Sequence, residues 1–214
     1  MDTKQRALAA IKLLKKEYPH AKISLGYNTP MQLLAAVILS AQCTDKRVNI
    51  VTEKLFKKYK TPSDFAKAEQ KTFEQEIKST GFYRNKAKNI IASARLIDGK
   101  FGGKIPDKME ELLTLPGVAR KTANIILSNL YGKNCGIAVD THMKRINYRL
   151  GLTKNTNPDK IEADLMKIIP EEIWGGYTHL IIQHGRATCK APIPYCSRCV
   201  LNKICPKQGV EKNL

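Results

Sequence analysis

Apolar positions recur along this chain at helical spacing, and no sustained strand-like alternation is present. Ala7, Leu8, Ile11 and Leu14 form one face of a first helix that ends near Tyr18-Pro19. Thr29-Pro30 reads as an N-cap followed by a first-turn proline. The run Leu33-Leu34-Ala35-Ala36-Val37-Ile38-Leu39 follows, apolar on every side. So short a run is compatible with a buried strand, but the start signal and the continuity from Gln32 to Ala41 favour a central buried helix. Its end, Ser40-Ala41-Gln42-Cys43-Thr44-Asp45, puts Gln42 at a surface or in a cleft. Thr44 or Asp45 caps the next helix, in which Val48, Val51, Leu55 and Tyr59 keep the period. Residues 62–77 read as two short helices. Ala87, Ile90, Ile91, Ala94 and Ile97 mark a longer one, closed by the glycine-rich loop 99–103.

Two stretches between these helices carry chemistry. Gly81-Phe82-Tyr83-Arg84-Asn85-Lys86 is a glycine-led turn with aromatic and basic residues, and an apolar side chain on such a turn can wedge between bases. The plainer reading has Phe82 and Tyr83 covering a core edge. Leu115-Pro116-Gly117-Val118-Ala119-Arg120-Lys121 lies between a helix marked by Met109, Leu112 and Leu113 and one marked by Ala123, Ile126, Leu127 and Leu130. Asp107 and Glu110 read as N-cap and capping-box partner of the first. Pro-Gly marks a tight hairpin, and Gly117 removes a side chain where something approaches the backbone. The amides that open the second helix have no intrahelical partners and form a phosphate seat. Lys121 falls in that first turn, where the dipole disfavours an ammonium and burial would add to the effect. Such a lysine can become a Schiff-base nucleophile. Taken alone, the stretch reads more simply as a helical corner with a solvated lysine.

Downstream, Ile137-Ala138-Val139-Asp140-Thr141-His142 leads into a helix with Met143, Ile146 and Leu150. Asp140 is its N-cap, and a carboxylate there can also serve a site that Lys121 belongs to. Ile161, Leu165 and Ile168 mark another helix, and Tyr177, Leu180, Ile181 and His184 the last. The reading is all-α. The four histidines show no metal spacing and are read as structural or surface residues.

Charge and cysteines alter the weighting. The 214 residues carry 37 Lys plus Arg against 19 Asp plus Glu, a formal net charge of +18, which points to a polyanion, nucleic acid first. No apolar run is long enough to span a bilayer, and the N-terminus lacks a secretory pattern. The expected compartment is the cytosol, or the nucleus in a eukaryote, where disulfides are rare. Cys189, Cys196, Cys199 and Cys205 are spaced C-x6-C-x2-C-x5-C, a set that can hold zinc or an iron–sulfur cluster; spacing alone leaves the metal open. Cys43 and Cys135 lie outside the pattern and read as buried thiols.

The hairpin Leu115-Pro116-Gly117-Val118-Ala119-Arg120-Lys121-Thr122-Ala123, the Val139-Asp140-Thr141-His142 motif and the four cysteines, in that order, resemble endonuclease III, of the helix-hairpin-helix DNA glycosylases. Leu39-Ser40-Ala41-Gln42 and Gly81-Phe82-Tyr83 extend the resemblance over nearly the whole chain. It implies two helical lobes, one of residues 22–133 and one of residues 1–21 plus 134–214, with double-stranded DNA bound between them and a 4Fe-4S cluster on Cys189, Cys196, Cys199 and Cys205. It implies a monomer, cytoplasmic and nucleoid-associated in a bacterium or archaeon. The implied enzyme removes oxidised pyrimidines and nicks the abasic site by β-elimination. Lys121 would be the nucleophile and Asp140 its assisting carboxylate. Gln42 and Phe82 would fill the gap left by the flipped nucleotide. Gly117, Ala119, Arg120 and Lys190 would contact DNA. Family members often have leucine at the position of Phe82 and a more basic segment between the first two cysteines. The alternatives are a monofunctional adenine or thymine mismatch glycosylase of the same superfamily, and a non-enzymatic metal-clipped DNA-binding protein. The adenine branch would place a glutamate where Val37-Ile38-Leu39 stands, and both mismatch branches tend to lack the hairpin lysine.

Overall fold

The computed structural model describes residues 1–214, which form helices and turns with no strand. The α-helices are α1 (Thr3–Glu17), α2 (Pro30–Leu39), α3 (Asp45–Lys58), α4 (Pro62–Ala66), α5 (Gln70–Ile77), α6 (Tyr83–Lys100), α7 (Met109–Leu113), α8 (Arg120–Tyr131), α9 (Thr141–Arg149), α10 (Pro158–Ile168) and α11 (Trp174–Ala187). Single 3-10 turns lie at Lys78–Thr80 and Glu171–Ile173. The chain divides into two compact units, Ser24–Lys133 and Met1–Ile23 with Asn134–Leu214. No helix is long and apolar enough to cross a membrane.

The Ser24–Lys133 unit is built on α2. The Thr29 hydroxyl accepts the Gln32 amide at 3.3 Å, and Pro30 supplies the preset first turn. Every residue of α2 after Pro30 is buried. The one polar residue among them, Gln32, donates its side-chain amide to Phe56 O and Tyr59 O at 3.1 and 3.0 Å, so no donor is orphaned. α3, α6 and α8 pack around α2. Under α4 and α5, the rings of Tyr59, Phe65 and Phe73 meet at centroid distances of 5.2–6.1 Å, two of the three pairs edge-on. The capping box expected at Asp107 and Glu110 does not form. α7 starts after Lys108 without a side-chain cap, because the Asp107 carboxylate is taken by Lys133 Nζ beyond the end of α8.

In the other unit, α1, α9, α10 and α11 share one apolar core. Leu8, expected on the buried face of α1, is exposed; Ala10 completes that face with Ala7, Ile11 and Leu14. Tyr177 is fully buried and donates its hydroxyl to Asn147 Oδ1. α11 crosses α9 at Gly185, where a Cβ would come within 2.9 Å of Ile146 Cδ1 and closer still to His142 Nδ1. Only glycine permits that approach, and it fixes the start of α9. The two cysteines outside the spaced set are not buried thiols: Cys43 is half-buried beside Gln42, and Cys135 is exposed in the loop after α8.

Candidate active site and cysteine pocket

In the Ser24–Lys133 unit, the hairpin residues come together at the start of α8. Gly117 has φ +79°, and a Cβ there would sit 2.9 Å from Asn89 Cβ, so both backbone and packing demand glycine. Ser93 Oγ donates to Pro116 O at 2.7 Å and ties the turn to α6. Ala119 takes the extended N-cap conformation but has no side chain to cap the helix. Gly117, Ala119, Arg120 and Lys121 are all exposed, so the positive end of α8 faces solvent with the lysine in its first turn. The burial expected to act on Lys121 is therefore absent; its position at an uncapped helix start remains.

Two further turns of this unit present Gln42 and Phe82. Both have left-handed backbones, φ 51° and 48°, and both side chains are exposed, Phe82 by 65%. Phe82 therefore does not cover a core edge. Left-handed non-glycine residues are costly and need surrounding structure to hold them. That structure includes Lys86, which the helical pattern had left unremarked. Lys86 is buried, and its Nζ donates to Leu39 O at 2.8 Å and Thr80 O at 2.7 Å. The signal was available: position 86 lies one turn before Ile90 on the apolar stripe of α6, where a lysine is anomalous.

In the other unit, Asp140 is the N-cap of α9. Its Oδ1 accepts the Met143 amide at 2.8 Å. The approach to it is fixed upstream, where buried Glu162 accepts the Ile137 amide at 3.1 Å. The residue is half-buried, with Oδ1 engaged in the cap.

Cys189, Cys196, Cys199 and Cys205 line one pocket beside α9 and α11. The four thiols border one common space, and four cysteines are a donor set that zinc or an iron–sulfur cluster uses. Burial pushes the Cys199 thiol up to about 11 and raises Cys205 as well, so the apolar pocket alone disfavours thiolates. Positive groups border the pocket. Arg149, buried in α9, directs Nη1 at Cys189 Sγ (3.4 Å) and Lys190 O (2.8 Å), and Nη2 at Pro192 O (3.2 Å). Arg145 donates to Cys189 O at 3.0 Å. His184 faces Cys199 Sγ with Nε2 at 3.6 Å and Tyr18 Oη with Nδ1 at 3.3 Å. Burial lowers the His184 imidazole to about 4, so it is neutral near pH 7. His184 is thus a structural histidine, as expected, yet it belongs to the pocket. Lys190 is exposed, with Nζ 5.1 Å from the Tyr195 ring centroid.

The profile of the HhH-GPD superfamily of base excision DNA repair proteins matches residues 35–171. A curated relative, Endonuclease III of Synechocystis sp., is 54% identical over 203 residues, 95% of this chain and 93% of its own. The chain belongs to the endonuclease III family. Two solved structures of this family, described as a non-covalent Endonuclease III–DNA complex and a trapped Endonuclease III–DNA covalent intermediate, superpose with a TM-score of 0.90 at 43% identity, covering 97% of each chain. This endonuclease III family chain is all-helical, as its hydrophobic pattern indicated. The family match spans the hairpin, Lys121 and Asp140, and stops before the cysteines.

Proposed function

We propose that this protein is a bifunctional DNA glycosylase and abasic-site lyase of base excision repair that removes oxidised pyrimidines from double-stranded DNA. The observation that carries the reading is Lys121, exposed in the first turn of the uncapped α8, in a chain 43% identical to a protein trapped covalently on DNA. A damaged base must leave the stack before its sugar can be reached. Gln42 and Phe82, on their strained turns, fill the space the extruded nucleotide vacates. The amides at Gly117 and Ala119, with Arg120 and Lys190, hold phosphates.

Lys121 Nζ then attacks C1′ of the deoxyribose, and the glycosidic bond breaks with its electron pair leaving on the base. The amine then loses a proton and the C1′–O4′ bond opens, with O4′ protonated, to give an iminium; this acidifies a C2′ hydrogen, and loss of that proton expels the 3′ phosphate by β-elimination. Asp140 stabilises positive charge on the sugar or accepts a proton through Oδ2, while Oδ1 continues to cap α9. Cys189, Cys196, Cys199 and Cys205 would hold a 4Fe-4S cluster, and the pocket they line, with Arg149 directed at Cys189, suits a buried anionic centre. When bound, the cluster supplies a rigid cross-link for the loop that presents Lys190 to DNA.

The deciding experiment is borohydride trapping on duplexes carrying thymine glycol or an abasic site, with Lys121→Gln alongside. A covalent adduct on both substrates in the parent, and on neither in the variant, is the expected result. Release of thymine glycol without any adduct would make the enzyme monofunctional and remove Lys121 from the nucleophile role. Binding without release would leave a DNA-binding scaffold.

A further inference from the structure

Lys86 is a buried ammonium whose two hydrogen-bond partners are backbone carbonyls, not a carboxylate. Burying a charge without an anionic partner is unfavourable, and burial indeed lowers the Lys86 pKa from its ordinary value. An apolar side chain of similar length would pack the same stripe of α6 without that cost. The gain must come from what the ammonium joins. Leu39 O closes α2, three residues before Gln42; Thr80 O closes the 3-10 turn, two residues before Phe82. Residues 42 and 82 both stand in the left-handed region, with φ 51° and 48°, and both are exposed. One cation therefore spans the bases of two strained turns that are far apart in sequence. The acceptor at Leu39 is a terminal helix carbonyl, where the dipole also favours positive charge.

We propose that Lys86 is a positioning residue that fixes the separation of the Gln42 and Phe82 tips, and thereby sets how well the enzyme extrudes a nucleotide from paired DNA. The inference rests on the reading of those tips given above. Lys86 touches neither DNA nor the reacting sugar; it acts through the two turns. A displacement of about 1 Å in a positioning group can cost on the order of a hundredfold in rate, so a clamp on two tips is a sensitive place.

The test compares two substrates in the full-length protein. Strand cleavage is measured under single-turnover conditions on a fully paired duplex with a central abasic site, and on the same abasic oligonucleotide as a single strand. The single strand has no stack to open, so it reports the lysine chemistry without the tips. For Lys86→Met, the expected loss is roughly tenfold or more on the duplex and within about twofold on the single strand. Combining Lys86→Met with Gln42→Ala and Phe82→Ala should add little on the duplex, because the clamp then holds nothing of use. Equal losses on both substrates, tracking a fall in melting temperature, would make Lys86 merely structural. No loss on the duplex would overturn the proposal as well. If Lys86→Met does not fold, Lys86→Arg carries the same comparison, since a planar guanidinium cannot seat both carbonyls as the compact ammonium does. Absence of single-strand cleavage in the parent would instead count against the lyase reading, so the two failures are distinguishable.

Discussion

The first turns of α8 and α9 are the same structural object with opposite treatments. Each presents unpaired amides and the positive end of a helix dipole. At α9 the chain supplies its own anion: Asp140 Oδ1 takes the Met143 amide at 2.8 Å. At α8 the N-cap is Ala119, which has nothing to offer, and the neighbouring residues are exposed. A helix start that lacks a cap forgoes roughly 1 kcal/mol that Ser, Thr, Asp or Asn would supply at that position. Asp2, Thr29, Thr44, Thr61 and Asn157 cap their helices, whereas α6, α7 and α11, like α8, start without a side-chain cap. At α8 the bare start follows a glycine hairpin and is exposed, which is consistent with an anion that arrives from outside, and a DNA phosphate is the anion this family meets. At α9 the same chemistry is satisfied internally, through Oδ1 of Asp140.

The sharpest way to break this comparison is to separate the cap from the charge at Asp140. Asn caps helices about as well as Asp, so Asp140→Asn should keep the melting temperature within a degree or two while removing the negative charge. Single-turnover release of thymine glycol should fall by about 10²–10⁴-fold, the usual worth of a general acid–base or electrostatic group. Asp140→Ala should show the same loss and, in addition, about 1 kcal/mol of destabilisation from the missing cap. If Asn retained full activity, Asp140 would be a cap and nothing more.

The second test concerns how the α8 start is held open. Gly117→Ala forces a Cβ to 2.9 Å from Asn89 Cβ on a backbone at φ +79°. The left-handed conformation costs about 1–2 kcal/mol and the overlap a similar amount, so thermal or urea unfolding should show a loss of about 2–4 kcal/mol. Adding Asn89→Gly should recover the overlap and leave the backbone strain. An unchanged stability in Gly117→Ala would mean that the hairpin is adaptable and does not preset the amides.

The contrast also explains what the sequence made legible. Helix starts at Thr29, Thr44 and Asp140 could be read because a cap is a local signal, one side chain acting on amides two or three residues away. Helical faces were legible because burial repeats every 3.6 residues; Leu8 was misplaced because it sits at the edge of its stripe. The Asp107 cap was misread because Lys133, 26 residues on, takes its carboxylate, a partner no local pattern announces. Lys86, Arg149 and the pocket role of His184 went unseen for the same reason: each acts on carbonyls or sulfurs that only the folded chain brings near. Lys86 and Arg149 did leave a trace, as charges on otherwise apolar helical stripes. Lys121 and the cysteine set stood out through motif order, which is a resemblance and not a consequence of periodicity.

The smallest effect should come from giving α8 the cap it lacks. Ala119 already has φ −95° and ψ 171°, the backbone an N-cap residue adopts, so Ala119→Asp requires no rearrangement. The new carboxylate should accept a first-turn amide and stabilise the fold by about 0.5–1 kcal/mol, visible as a rise in melting temperature of a few degrees. The same carboxylate would occupy the amides proposed to meet a phosphate and repel that phosphate by its charge. Affinity for abasic-site duplex should drop by about tenfold, and the slope of log affinity against log salt should shrink by close to one phosphate contact. Ala119→Ser separates the two contributions, because it caps without charge: the stabilisation should persist and most of the affinity should return. If Ala119→Asp stabilised the protein and bound DNA as tightly as the parent, the bare start of α8 would not be a phosphate seat, and the difference between the two helix N-termini would carry no functional meaning.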